Sequence, residues 1–427
     1  MRILSFFILL IYKLLTLIAL IPGVLFLCYK KRRDPPYGRR VMELFGFCPY
    51  RFKRSIWFHT VSVGEVIAAR PLINNFVKRH PKLNIIVTTT TTTGALEAQK
   101  IKGITHIFAP LDSSLALGIF TSRVKPSHLF IMETELWPNM LDICHRHKVN
   151  VTVFNARMPE KTCLKYERFK WLVKDLIARK ISMVIAQTPD DAQRFERIGI
   201  NKDRIFVANS LKYDLVPNDD LFKESYMFKK AHDNYFVIGA ISTHDGEEEQ
   251  ILEVFLSLYD MYPHLRLVLV PRHKSGVDRA IAFLDEVNTR YVRRSQAHKF
   301  TELFTESVII GDTMGEIELY LGLCNIVFMG GSLVDIGGHN PLEPAYFSLP
   351  VITGPYYYNF KMQFEDMIDA RAAYLANDEK RLYVLLENFI NDTELCTRTG
   401  LKALDVQEKG RGAIAKTLEL FEVALKK

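Results

Sequence analysis

The stretch Asn325 to Ala345 reads NIVFMGGSLVDIGGHNPLEPA. Asn325–Met329 is short, apolar and β-branched, the composition of a buried strand. It stops at Gly330-Gly331-Ser332, and a second pair, Gly337-Gly338, precedes His339-Asn340-Pro341-Leu342-Glu343. Asn before Pro, with Glu three residues after the Asn, predicts a helix start. Four glycines therefore stand between a strand and a helix. Tight turns, with Glu343 capping the helix, are one account. A ligand is the other: glycine admits close approach to the backbone, and free amides at a helix start attract phosphate. The carboxyl ends of parallel strands are also where α/β sheets bind ligands. The combination favours a phosphate-bearing ligand, provided the rest of the chain supplies such a sheet.

It does. From Ser55 onward, apolar runs alternate with amphipathic segments: SIWFHTV, NIIVTTT, HLFIM, NVTVFNA, MVIAQT and RIFVAN in the first half, with helical segments such as Val66 to Arg79 and Thr162 to Arg179. A polar stretch, 216–233, carries no strand signal and reads as a linker. The alternation restarts with YFVIGAIS, LRLVLVP, SVIIGD, NIVFMGG and LPVITGP. Repeated strand–helix units predict parallel sheets covered on both faces. A chain of 427 residues accommodates two such domains. The expected organisation is an anchor at 1–28, a Rossmann-like domain at 29–215, the linker at 216–233 and a second Rossmann-like domain at 234–427, the two sheets facing a cleft.

At 48% hydrophobic and 24% charged, the chain has the composition of ordinary globular cores. Its N-terminus differs. Ile3 to Cys28 is nearly all apolar and long enough to cross a bilayer. It lacks a small-residue cleavage site after a short core, which favours an uncleaved anchor. Lys13 interrupts it, so the segment either spans with a snorkelling lysine or lies in one leaflet. YKKRR follows at once and predicts a cytoplasmic location for the remainder. Residues 29–54 carry nine Lys or Arg against Asp34 and Glu43, a net +7 of the chain's +8; Arg2 and Lys13 add two, leaving the rest at −1. The basic excess thus lies beside the apolar segment, where anionic lipid head groups would meet it. Nucleic-acid binding would require a basic folded face, and no such motif is present. The six cysteines, Cys28, Cys48, Cys144, Cys163, Cys324 and Cys396, have no metal or disulfide spacing.

Charged residues recur at predicted strand ends. HTVSVGEV puts Ser62, Gly64 and Glu65 between a strand and a helix. Glu65 is either a first-turn acid favoured by the helix dipole or a general base at the sheet edge; spacing leaves the two level. IMETELWPNM places Glu133 and Glu135 after another strand, and VANSLKYD places Lys212 after the last strand of this half. In the second half, ISTHDGEEE opens a helix, LVPRHKSG presents Arg272 and His273, and GDTMGEIELY presents Gly315, Glu316 and Ile317. Arginine suits a phosphate or carboxylate through its planar fork. Neither a P-loop nor a G-x-G-x-x-G fingerprint precedes a helix. No D-x-D stands at a strand end, so no metal cofactor is expected.

Together HTVSVGE, METELWPN, NARM, LVPRH, GDTMGE and GGSLVDIGGHNPLE resemble the 3-deoxy-D-manno-octulosonic acid (Kdo) transferase family of lipopolysaccharide synthesis. The resemblance implies a glycosyltransferase of the two-Rossmann, GT-B type that moves Kdo, with inversion, from CMP-Kdo to the lipid A precursor lipid IVA at the cytoplasmic face of the inner membrane, without a metal. It implies that Glu65 is the catalytic base and that Glu133 and Lys212 stabilise the transition state. It assigns Arg272, His273, Gly315, Glu316, Ile317, Asn340, Pro341, Leu342 and Glu343 to CMP. Another GT-B sugar-nucleotide enzyme, such as an epimerase, is the alternative; a membrane-bound nucleotide-binding protein without activity is a third reading, against which the intact Glu65 weighs.

Overall fold

A computed structural model describes residues 2–30 and 39–426. The chain forms two compact units, one running to Leu215 and resuming at Arg411, the other Val216–Gly410. Each holds a seven-stranded sheet in which every pairing is parallel.

In the first unit the strands are β1 (Ser55–His59), β2 (Asn84–Thr89), β3 (Ile104–Phe108), β4 (Pro126–Met132), β5 (Asn150–Ala156), β6 (Met183–Ala186) and β7 (Ile205–Val207). Their order is β3-β2-β1-β4-β5-β6-β7. The central strands are apolar and buried on both faces, as helices on both sides require. The order reverses between β1 and β4, which is where a doubly wound sheet opens a crevice at its carboxyl edge.

In the second unit the strands are β8 (Phe236–Thr243), β9 (Leu265–Pro271), β10 (Tyr291–Arg293), β11 (Val308–Ile310), β12 (Ile326–Met329), β13 (Val351–Thr353) and β14 (Ala373–Leu375). They run β10-β11-β9-β8-β12-β13-β14, reversing between β8 and β12. The glycine run of residues 330–338 begins at that point.

Two boundaries differ from the sequence expectation. Residues 216–233 contain a helix, Asp219–Lys230, capped by the Asn218 side chain. Phe222 stacks on Phe347 at 3.8 Å, and a Cβ on Gly322 would meet the backbone oxygen of Phe222 at 2.6 Å. This helix is part of the second unit's packing. The second unit also ends at Gly410, because helix Ala413–Leu425 lies on the first sheet. Phe421 stacks on Phe130 at 3.9 Å, and the Asp214 carboxylate accepts hydrogen bonds from Gly412 N and Ile414 N.

The N-terminal apolar segment forms two helices, Arg2–Ile18 and Leu20–Lys30, bent by 47°. Among the described residues no single helix is long and apolar enough to cross a membrane. Four polar side chains of the first helix are turned onto the first unit. Ser5 Oγ donates to Asp175, Tyr12 to Asp112 and Lys13 Nζ to Asp142 (2.8, 2.8 and 2.5 Å), while Asn139 Nδ2 donates to Thr16 Oγ1. Leu20 and Val24 join a small core with Leu44, Phe108 and Ala116. Phe6, Phe7, Leu10, Ile11, Leu14 and Leu15 face outward. Of the basic stretch, residues 31–38 lie outside the described residues; Arg39, Arg51, Lys53 and Arg54 are exposed, whereas Arg40 is tied to Glu43 and the carbonyl of His106.

Candidate active site

In the first unit, β1 leads through Thr60-Val61 to helix Val63–Arg79. Ser62 and Glu65 form a capping box: Ser62 Oγ accepts from Glu65 N, and the Glu65 carboxylate accepts from Val61 N (2.9 Å), Ser62 N (3.3 Å) and Ser62 Oγ (3.0 Å). Burial nevertheless pushes the carboxyl up to about 7, assisted by Glu133 and Glu135 and opposed by the Val61 and Ser62 hydrogen bonds. One side chain thus combines a helix cap with a carboxyl of raised pKa. It caps the helix, and it is a carboxyl half-ionised near neutral pH.

Glu133 follows β4 across the order reversal. Its backbone is left-handed (φ 56°), a conformation that costs a non-glycine residue about 1–2 kcal/mol and concentrates at functional sites. Glu133 N donates to Phe154 O at 3.0 Å, and the Thr134 hydroxyl donates to Arg157 O, so the acidic loop is pinned to the end of β5. Burial raises the Glu133 carboxyl, and Lys212 and Arg157 pull it down. Burial depresses the Lys212 ammonium, held up in turn by Glu133 and Glu65. The structure thus gathers Glu65, Glu133 and Lys212 at one edge.

Sequence reading missed the side chain that positions Lys212. Asn155, buried and left-handed (φ 48°), accepts Leu211 N on Oδ1 at 3.0 Å, and its backbone carbonyl accepts Gln187 Nε2 at 2.9 Å. Asn155 and Arg157 lie in the NARM segment, whose Asn is a residue type that tolerates the left-handed region. That was its available signal.

In the second unit the first glycine run holds an anion of the protein itself. The amides of Gly331, Ser332 and Leu333 donate to the buried carboxylate of Glu247 at 2.6, 2.9 and 2.8 Å, as does His244 N at 2.9 Å. These amides are occupied by the protein's own anion. Gly330 is required because a Cβ there would lie 2.5 Å from Ser242 O and Thr243 Cα. Gly337 and Gly338 have φ of 104° and 75° and abut the Tyr357–Tyr358 turn. The helix after them is a single turn, Leu342–Tyr346, in which Asn340 Oδ1 accepts Leu342 N and Asn340 Nδ2 donates to Glu343 (both 3.2 Å).

The expected binding residues lie at strand ends and helix starts of this unit. Arg272 and His273 follow β9 and are exposed at the start of helix Lys274–Glu286. Arg272 lies near enough to Glu343 to oppose the upward push of burial on that carboxyl, and near enough to His339 to depress it. Gly315 is left-handed with open space where a Cβ would stand. Glu316 is held by Arg294 (3.0 Å) and Thr313 (2.5 Å). Pro341, Leu342 and Ile317 belong to the backbone frame beneath these groups; Leu342 is buried and Ile317 packs on the core. His244 and His339, which sequence reading did not select, lie among them.

Two parallel doubly wound sheets, each reversing its strand order once, define an α/β architecture of the GT-B kind. A glycosyltransferase from Rickettsia africae shares it, at a TM-score of 0.58 with 14% identity, covering 88% of this chain and all of that one. So does a UDP-GlcNAc 2-epimerase from Neisseria meningitidis, at 0.57 with 13% identity over the same shares; both are likenesses of fold. Sequence is more specific. Residues 39–215 match the family described as 3-deoxy-D-manno-octulosonic-acid transferase (kdotransferase). The 3-deoxy-D-manno-octulosonic acid transferase of Haemophilus influenzae is 34% identical over 92% of this chain and 93% of its own. The chain belongs to the 3-deoxy-D-manno-octulosonic acid transferase family and is a glycosyltransferase.

Proposed function

We propose that the enzyme moves Kdo from CMP-Kdo to a hydroxyl of the lipid A precursor lipid IVA at the inner membrane's cytoplasmic face, with inversion at the anomeric carbon. The observation that carries the reading is Glu65: a carboxyl raised to about 7 at the carboxyl edge of β1, next to the sheet's order reversal. General bases work best with a pKa near the operating pH. In the reaction an acceptor oxygen attacks the anomeric carbon, its proton passes to Glu65, and the bond from that carbon to the CMP phosphate oxygen breaks. Three hydrogen bonds to the carboxylate leave one of its roughly four lone-pair sites for the substrate hydroxyl.

The roles of Glu133 and Lys212 follow from their coupling. The ammonium would offset charge developing as the bond to phosphate lengthens, and Glu133 would hold that ammonium in place. In the second unit, Arg272, His273, the open Gly315 turn and Asn340–Glu343 would take CMP, Arg272 meeting the departing phosphate. The bent N-terminal pair would lie in one leaflet. Its polar groups are spent on the first unit, its outward side is apolar, and exposed Arg39, Arg51, Lys53 and Arg54 would meet anionic head groups.

The test is Glu65→Gln in the full chain with CMP-Kdo and lipid IVA. The amide can still accept at the helix start, so folding and CMP binding should persist while turnover falls ~10²–10⁴-fold. Retention of more than about a tenth of turnover would leave Glu65 as a cap alone.

A further inference from the structure

His244 follows β8 and His339 follows the glycine run after β12, so the two arrive from the strands flanking the second sheet's order reversal. Their Nε2 atoms are 2.9 Å apart, and the rings stack at 10° with centroids separated by 5.1 Å. One Nε2 must donate and the other accept, so both facing nitrogens cannot carry protons while this contact lasts. Gly331 makes the pair possible: a Cβ there would stand 3.2 Å from each ring. The His273 ring meets His244 edge-on at 5.4 Å.

The charges facing the pair are Arg272 and His273 after β9, Asp245 beside His244, and Glu247 beneath. Asp245 is paired with Arg279, and Glu247 is consumed by four backbone amides. Asp245, so paired, gives His244 only minor support against burial, His273 and Arg272. Burial, with Arg272 and His273 in attendance, holds His339 down at about 4 and His244 below its usual value. Among the described residues no three His, Cys, Asp or Glu cluster so as to hold a metal ion. What would complete this arrangement is an oxyanion, whose arrival offsets Arg272 and lets a histidine charge.

We propose that His244 and His339 form part of the donor's anion subsite and take up a proton when the phosphate or the sugar carboxylate of the donor binds. This rests on reading the second unit as the nucleotide-sugar site. The proton comes from solvent and is released when the anion leaves. Uptake is confined to the interval between the depressed pKa of the free pair and the higher value in the complex, so it is largest in mildly acid solution and fades as pH rises above the bound value.

Calorimetric titration of the full chain with CMP near pH 6, in two buffers of different ionisation enthalpy, counts the protons. Uptake of up to one proton per CMP is expected. His244→Gln and His339→Gln should each reduce it to near zero. His264→Gln, an exposed histidine ahead of β9 at the opposite end of the strand, should keep the uptake. Cytidine, which has no phosphate, should give none, and free Kdo tests the carboxylate as the anion. CMP that binds without uptake, or uptake persisting in both Gln variants, overturns the proposal while leaving the donor site in place. Absence of CMP binding in the wild type overturns the donor-site reading itself.

Discussion

Ser62 and Glu65 hold one another: the serine hydroxyl accepts the glutamate amide, and the glutamate carboxylate accepts the serine amide and hydroxyl. The same hydrogen bonds that start the helix also pull the Glu65 carboxyl down against burial. Ser62→Ala should therefore do two measurable things. It should cost about 0.5–2 kcal/mol as a lost cap, read from a denaturant midpoint. It should also raise the Glu65 pKa. Since the base works when ionised, the acid limb of the pH profile of kcat/KM, expected near pH 7 in the wild type, should move to higher pH. An unmoved limb with lowered stability would separate the cap from the base.

Glu133 provides the opposite combination. Its left-handed backbone is a position glycine occupies without strain. Glu133→Gly should leave stability within about 1 kcal/mol of the wild type, relieved strain offsetting the unfolded state's added entropy. Turnover should fall at least about tenfold. Glu133→Val, β-branched, should lose both. Full turnover in Glu133→Gly would remove the carboxylate from the mechanism.

Glu247 is a structural anion. Glu247→Gln replaces an acceptor-only group by one whose amide hydrogens confront backbone N–H donors. The loss should be about 3 kcal/mol or more, as for other broken buried charge networks, measured by thermal or urea unfolding. CMP affinity at a temperature where the variant is folded should change little. A specific loss of CMP binding without loss of stability would return these amides to the ligand.

The N-terminal helices allow a contrast between lying in and crossing a bilayer. Lys13→Leu would suit a crossing helix, which gains apolar length. Here Lys13 is half of an ion pair with partly buried Asp142, so the change should lower stability. Replacing Phe7, Leu10, Ile11 and Leu14 by Ser should reduce binding to anionic vesicles without unfolding the first unit. A Lys13→Leu protein as stable as the wild type would favour crossing.

The eleven strands visible in the sequence as apolar runs all occur in the structure, and the three that were not are β3, β10 and β14. All three are edge strands, and β10 and β14 are only three residues long. With one neighbour they are less buried, and His106 and Arg293 interrupt the apolar signal. Asp219–Lys230 escaped notice because its polar residues dominate; what fixes it is contact with Phe347 and Gly322, far along the chain. For the same reason the capture of Glu247 by the glycine run is not legible in the sequence. No spacing rule links Glu247 to residues 331–333. The acidic residues at β1 and β4 were legible because strand ends are local, whereas the pairing of His244 with His339 joins positions 95 apart.

Transfer of the sugar to lipid can be measured directly. Membranes or detergent extract containing the full chain should be given CMP-Kdo and tetraacylated lipid IVA, with the lipid read by mass spectrometry and CMP quantified alongside. The prediction is a lipid heavier by one or more Kdo residues, CMP released in equal number, and both lost together in Glu65→Gln. Unmodified lipid under conditions where the protein is folded and binds CMP, or CMP release without lipid product, would contradict it.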